Sequence, residues 1–550
     1  MFAFLFFSVR LVRSRAASRR SAWVKATIVL SANAALLLAA ELPKITTSQY
    51  NNMRTGANLN ETILTPNNVN VHQFGKIFSL PVDGDVYAQP LYFPEVDIPG
   101  KGIHNLLFVA TEHDSVYAFD ADASSPNPLW HTSLLPTSGL VGPVPAQDVQ
   151  CPFISPEIGI TSTPVIDADT GTLYVLARTK KAQSRSSIEY AQHLHALAIT
   201  TGVEKFGGPV EIRAAVPGSG LGSVGGTVEF GPLRENPRAA LLLAQGSVYL
   251  TWASSCDVGF YHGWVMAYDA RTLRQQAALN TSPDAAESGI WLSDTGPTAD
   301  RFGNVYVVTG NGVFDANIKG GRDYGDSALK LRLQGNEFLV ESFFTPSDQQ
   351  QLNKTDGDLG SGGLLLLPEG PDGHPSGLVF GGKAGAAYII NPQHMGGLQL
   401  RAEASTQKIR ISNGIYSAPA YWNGHLYYYA SEDALKEFVV RGGGFSPTPS
   451  HQSLRKSSFS GGTPTVSANG RTNCVVWVVE TRAWNRGGTH AILQAFDALN
   501  VQHQLYSSDQ NAMRDGAGEA VRFTIPTVAN GRVYFGVKRA VEVYGLLSNR

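Results

Sequence analysis

Charge is what this sequence has least of: Asp, Glu, Lys and Arg together make up 16% of its 550 residues, against roughly 25% in an average soluble protein. Net charge is −2, and no run of basic residues interleaved with aromatics occurs in the body of the chain. That excludes nucleic acid as a partner, and nothing draws the chain to an acidic membrane surface. Cysteine is nearly absent, at three residues, and none precedes Cys151, so there is no lipid-attachment box. The thirteen histidines include no His-x-x-x-His pair. A Gly-x-Ser-x-Gly elbow and a Gly-Lys-Ser/Thr phosphate loop are both missing, which removes a serine hydrolase of that type and a Walker nucleotide site. No long stretch holds a 3.6-residue apolar period, so a helical domain is excluded.

What is present is glycine at 57 residues, proline at 30 and aromatics at 10%, a composition suited to many short strands joined by tight turns. The first 40 residues stand apart. They hold no Asp or Glu, carry Arg10, Arg13, Arg15, Arg19, Arg20 and Lys25, and end in an uncharged stretch at 26–40. A basic region, a short apolar core and small residues at its end describe a secretory signal. Fifteen residues fall short of the ~20 that a helix needs to span a bilayer, though an uncleaved anchor is the alternative. The expectation is a signal peptide at 1–40, an extended lead-in across the molecular surface at 41–72, and a periplasmic or secreted protein, working as a monomer. Cys151 and Cys256 lie in polar loops and are candidates for a disulfide in an oxidising compartment. Cys474 sits in an apolar run (CVVWVV) as a buried thiol.

From residue 73 onward a three-part unit recurs. It begins with a short strand entered through proline, at Pro90, Pro164, Pro237, Pro297, Pro419, Pro464 and Pro526, with a proline-free copy at Gly362-Gly363. A proline has no N–H to give a ladder, so it belongs at a strand start. Next comes a turn and a β-branched or aromatic run, as in GTLYVLA (171–177), GSVYLTW (246–252), GHLYYYA (424–430) and GRVYFGV (531–537). The third part is typified by VYAFDA (116–121), WVMAYDA (264–270) and LQAFDA (493–498). Eight copies predict an all-β, eight-bladed β-propeller of four-stranded antiparallel blades over 73–550. GKIFSLPV (75–82) precedes the first full unit. This N-terminal strand is expected to complete the eighth blade, closing the ring and removing its edges.

The unit P-x-V … G-x-V/L-Y-V … L-x-A-F/Y-D-A resembles the repeat of pyrroloquinoline-quinone (PQQ) propellers, the superfamily of the quinoprotein alcohol dehydrogenases. Stretches such as EIGITSTPVID (157–167) and DGDLGSGGLLLLP (356–368) resemble an exported bacterial PQQ-repeat group of unassigned activity. The resemblance implies the fold, and with it a possible PQQ and calcium. The chain departs from the dehydrogenases in lacking adjacent cysteines and a Cys-x-x-Cys-His haem motif, and only Trp130 fits their blade-linking tryptophan.

In a closed ring, the loops leading into the first strands converge on one face. The polar residues in them include Tyr87, Glu157, Arg234, Asn236, Arg238, Asp294, Asp356, Asp358, Tyr416 and Arg522. A hard cation takes six to eight oxygens, so Glu157, Asn236 and Asp358 are candidate metal ligands. Arg234, Arg238, Tyr416 and Arg522 are candidates to hold a cofactor's or substrate's carboxylates. Asp294 is the candidate general base. The alternative is that these residues cap strands and bridge blades. Two functions follow: a binding or scaffold module for an extracytoplasmic protein, peptide or glycan, or a PQQ- and calcium-dependent oxidoreductase acting on alcohol or sugar hydroxyls.

Overall fold

The computed structural model describes residues 42–136, 140–184, 187–399, 406–441, 444–482 and 488–548. The signal segment expected at 1–40 lies outside the described residues. Among the described residues eight blade sheets follow one another along the chain, each built on an antiparallel run whose first strand is innermost, with a separate two-stranded sheet of Ala215–Pro217 and Thr227–Glu229. Blade one comprises Leu91–Ile98, Gly102–Ala110, Ser115–Asp120 and Trp130–Ser133. The inner strands of blades two to eight begin at Val165, Leu242, Thr298, Leu365, Ala420, Thr465 and Thr527. Blade eight draws its outermost strand from the other end of the chain: Phe74–Pro81 pairs antiparallel with Ala540–Leu546. Phe74 anchors this closure, buried with its ring centroid 4.9 Å from Tyr506 and 5.4 Å from Trp477. Among the described residues, no helix is long and apolar enough to cross a membrane.

The low charge follows from this architecture, because each sheet buries both faces between its neighbours. Leu106, Phe108 and Val116 of blade one, for example, pack on Leu173, Val175 and Leu197 of blade two.

The repeat's signature residues also tie adjacent blades. The tyrosine of the G-x-L/V-Y run lies fully buried on the second strand. Its hydroxyl donates to the backbone carbonyl of the alanine in the next blade's Asp-Ala pair: Tyr174 to Ala270, Tyr427 to Ala498 at 2.8 Å, and Tyr534 to Ala121 at 3.2 Å. Blade one has Phe108 in place of the tyrosine. There the Trp130 indole N–H makes the link instead, donating to Ile199 of blade two at 2.9 Å.

Part of the lead-in leaves the surface. Residues 45–58 run inside the axial channel and hydrogen-bond to the inner strands of all eight blades in order. Ile45 bonds Tyr92, and the carbonyl of Thr46 accepts from Ile166 N–H. The Asn52 side-chain amide donates to Leu243, and its carbonyl accepts from Ala299. Met53, Thr55 and Gly56 accept from Leu366, Tyr421 and Val466, and the Asn58 amide donates to Val528. At the centre, the fully buried Arg54 guanidinium donates to Thr47 Oγ1, to the carbonyl of Ser48 at 2.7 Å, and to those of Leu241 at 3.0 Å and Pro297 at 3.1 Å. An eight-bladed ring leaves unpaired backbone groups facing its axis, and the polar, extended composition of this segment satisfies them where side chains from the blades do not.

Candidate functional site

At the end of the ring where the inner strands begin lies a cavity of about 380 Å³. Its wall is built from the loops leading into blades three to eight, the turns between second and third strands, and one loop that precedes blade two.

One arc is acidic and comes from blade five. The segment DGDLGSGG turns tightly to reach the axis: a Cβ on Gly363 would stand 2.5 Å from the Ala418 Cβ and 2.4 Å from Thr295 Oγ1, which explains why no proline starts this blade. The turn presents Asp356 and Asp358, and Lys383 Nζ lies 2.6 Å from a carboxylate oxygen of each. Asp358 is buried and also accepts from the Asn311 N–H at 2.7 Å. Burial raises the Asp358 carboxyl above its ordinary range, while Lys383 opposes the rise. Burial alone would lower Lys383, yet the Asp358 and Asp356 carboxylates outweigh it and raise the ammonium.

The opposite arc is basic and aromatic. Arg238, ahead of blade three, places its guanidinium 4.0 Å from the Phe523 ring centroid. Arg522, ahead of blade eight, lies 4.7 Å from Phe523, 4.3 Å from Phe153 and 5.1 Å from Phe459. Both arginines are buried, and the flanking rings stabilise them by cation–π attraction. Tyr416 meets Phe459 edge-on at 5.1 Å.

A disulfide closes the wall between the two arcs. Cys151 and Cys256 are bonded at 2.03 Å, joining the loop ahead of blade two to a turn of blade three. Cys256, Asp257 and Trp291 line the cavity beside it. The buried indole N–H of Trp291 has no acceptor among the described residues.

Arg238, Tyr416, Arg522, Asp356 and Asp358 thus converge as their loops suggested. Arg234 stands outside this wall, beside Gly259. Tyr87 lies beneath the Phe153 loop, its hydroxyl donating to the Phe153 carbonyl at 3.3 Å. The side chain of Asp294 lies outside the described residues. The three expected metal ligands fall in different places, because each has a local partner. Glu157 pairs with His113 at 2.8 Å in a separate cavity of about 80 Å³ that also holds Asp85 and Glu112. Asn236 accepts from Arg178 at 3.2 Å and donates to the Ser254 carbonyl at 3.2 Å. Asp358 is engaged by Lys383. Among the described residues, no three His, Cys, Asp or Glu side chains gather as metal ligands.

Lys383, Trp291, Phe153, Phe459 and Phe523 were not among the candidates drawn from sequence. Lys383 belongs to the turn between second and third strands, which reaches the same face as the leading loops. That Gly-Gly-Lys turn was the signal available for it.

No protein-family model matches the chain, and no curated protein matches it. Solved structures do. A quinohemoprotein alcohol dehydrogenase from Comamonas testosteroni is 14% identical with a TM-score of 0.57, the match covering 92% of this chain and 81% of that one. One from Pseudomonas putida HK5 is 13% identical with a TM-score of 0.56 over the same shares, 92% and 81%. A europium-containing methanol dehydrogenase is 12% identical with a TM-score of 0.54, covering 92% of this chain and 98% of that one. The chain therefore has the propeller fold of the quinoprotein alcohol dehydrogenases.

Proposed function

We propose that the protein is a binding module whose axial cavity takes a small molecule that combines polar groups with a ring-shaped body. The carrying observation is the pair of buried guanidinium groups, Arg238 and Arg522, braced by phenylalanine rings and facing the Lys383 ion-pair cluster across the cavity. A volume of about 380 Å³ falls in the range of small-ligand clefts, roughly 300–1,000 Å³. Among the described residues the wall carries Arg238, Arg522 and Lys383 together with Asp257, Asp356 and Asp358. An extracytoplasmic location is part of this reading, supported by the basic-then-apolar N-terminus and by the Cys151–Cys256 disulfide.

The second reading is a PQQ-dependent oxidoreductase. It is favoured by the disulfide on the cavity wall and by the names of the dehydrogenases that share the fold. Arg238 and Arg522 fit quinone carboxylates, and Trp291 and the disulfide fit the ring system, whose bound form would supply hydride-accepting chemistry. The donor set does not fit calcium, because Glu157, Asn236 and Asp358 line different cavities and are already partnered.

Calorimetric titration with PQQ, with and without calcium, separates the two readings. The binding-module reading expects at most weak, calcium-indifferent binding. Stoichiometric, calcium-dependent binding at micromolar or tighter affinity would replace it with the oxidoreductase.

A further inference from the structure

We infer that the small cavity holding Asp85, Glu112 and Glu157 is a site for a divalent cation that keeps part of its water shell. It stands apart from the axial cavity and does not rest on that cavity's ligand. Four carboxylic side chains line it, Asp83, Asp85, Glu112 and Glu157, together with the exposed Arg539. They come from the loop into blade one, the turn between its second and third strands, and the loop ahead of blade two. Arg539 belongs to the matching turn of blade eight, so the site spans the seam at which the ring closes. Gly84 permits the close approach, since a Cβ there would stand 2.6 Å from the His113 backbone nitrogen. The basic groups acting on Asp85 and Glu112 from nearby are engaged elsewhere. Lys538 pairs with Glu519 at 3.0 Å, and the Arg178 guanidinium donates to Asn236 and to the Leu233 carbonyl.

Two buried oxygens carry the inference. Glu112 is 1% exposed and Asp85 8%, and Oε1 of the first and Oδ2 of the second accept no hydrogen bond among the described residues. A buried acceptor left unmet is costly, and one cation in the shared cavity answers both. The remaining carboxylate oxygens have work already. Glu112 Oε2 accepts from the Gly159 N–H at 2.8 Å and the Thr161 hydroxyl at 3.1 Å, which fixes the side chain. Asp83 accepts from the Thr111 and Ser115 hydroxyls, with His131 3.9 Å away, and Glu157 pairs with His113. Two direct ligands are too few for an ion stripped of water, in keeping with the scatter of other donors among the described residues. They suffice for an ion of the magnesium type, which binds through one or two carboxylates and keeps several waters. The cavity of about 80 Å³ has room for those waters, each taking roughly 30 Å³. Without the ion, burial leaves the Glu112 carboxyl protonated up to about pH 8, the state of the chelated protein.

The test uses the whole protein, freed of metal with EDTA and titrated calorimetrically with magnesium chloride or calcium chloride at constant ionic strength. One ion per chain is expected to bind and to raise the melting temperature. Glu112→Gln and, separately, Asp85→Asn keep the side chain's shape and remove its charge, and each is expected to weaken binding at least tenfold. Should one variant fail to fold, the other carries the test. Manganese(II) in the same site is expected to enhance water-proton relaxation, as an ion with exchanging waters does. Absence of that enhancement would overturn the water-retaining assignment. No uptake of any of these ions would overturn the inference and leave the cavity to water alone. Uptake unchanged in both variants would overturn it as well, placing the ion elsewhere on the protein.

Discussion

The Tyr427 hydroxyl shows how one side chain can carry a repeat. It is fully buried and reaches the carbonyl of Ala498 in the next blade, so a tyrosine in one unit and an Asp-Ala pair in the following one are read together. Tyr427→Phe removes the donor and strands a buried acceptor, which is expected to cost about 1–3 kcal/mol, seen as a lower urea midpoint with an unchanged m-value. Tyr249→Phe is the comparison. The blade after it carries Leu-Arg-Leu in place of Asp-Ala, and the loss there is expected to be smaller. At this scale much of the site was hidden. Arg238, Tyr416 and Arg522 were legible because proline marks the strand starts they precede. Phe153, Phe459 and Phe523 look like ordinary strand-flanking apolar residues until the ring closes and sets them around the guanidinium groups. The scatter of Glu157, Asn236 and Asp358 was equally invisible, since sequence gives the face a loop reaches and not the partner its side chain finds.

Among the elements, the eight blades were legible because each is announced more than once, by a turn and an apolar run and, in every blade but the fifth, by a proline. The closing strand Phe74–Pro81 was legible for the same reason, as one strand too many before the first unit. The channel segment was not. Residues 45–58 have no periodicity, and their backbone partners come from eight separate places in the chain. Arg54 holds that segment together through Thr47, Ser48, Leu241 and Pro297, without a carboxylate partner among them. Arg54→Met keeps the side chain's length while leaving several buried oxygens without a donor. It is expected to destabilise the fold by about 3–5 kcal/mol, measurable by urea unfolding. A loss below about 1 kcal/mol would show that the segment is a passenger and not a structural part.

For the molecule as a whole, the scarcity of surface charge leaves buried carboxyls to set the response to pH. Burial raises Glu112 and Glu235 to about 8 and Asp326 to about 7. These folded-state values lie above those of the unfolded chain, so around neutrality the folded protein holds protons that the unfolded chain has released. Their contribution is full below the ordinary carboxyl range and is lost as pH rises through about 7 to 8. The slope for each group is at most about 1.4 kcal/mol per pH unit. The melting temperature is therefore expected to fall from pH 7 to pH 9. A flat or rising profile would mean that these carboxyls are ionised in the folded state.

The segment in the channel also acts as a gauge. Repeat propellers can gain or lose a unit, because each blade touches only its neighbours and any ring that closes is a solution. Here fourteen residues bond the eight inner strands one after another, so the count of blades is written a second time, outside the blades themselves. A seven-bladed descendant would carry a segment with donors and acceptors to spare, and a nine-bladed one would leave an inner strand unanswered. Blade number in this lineage can change only together with the stretch of chain that measures it.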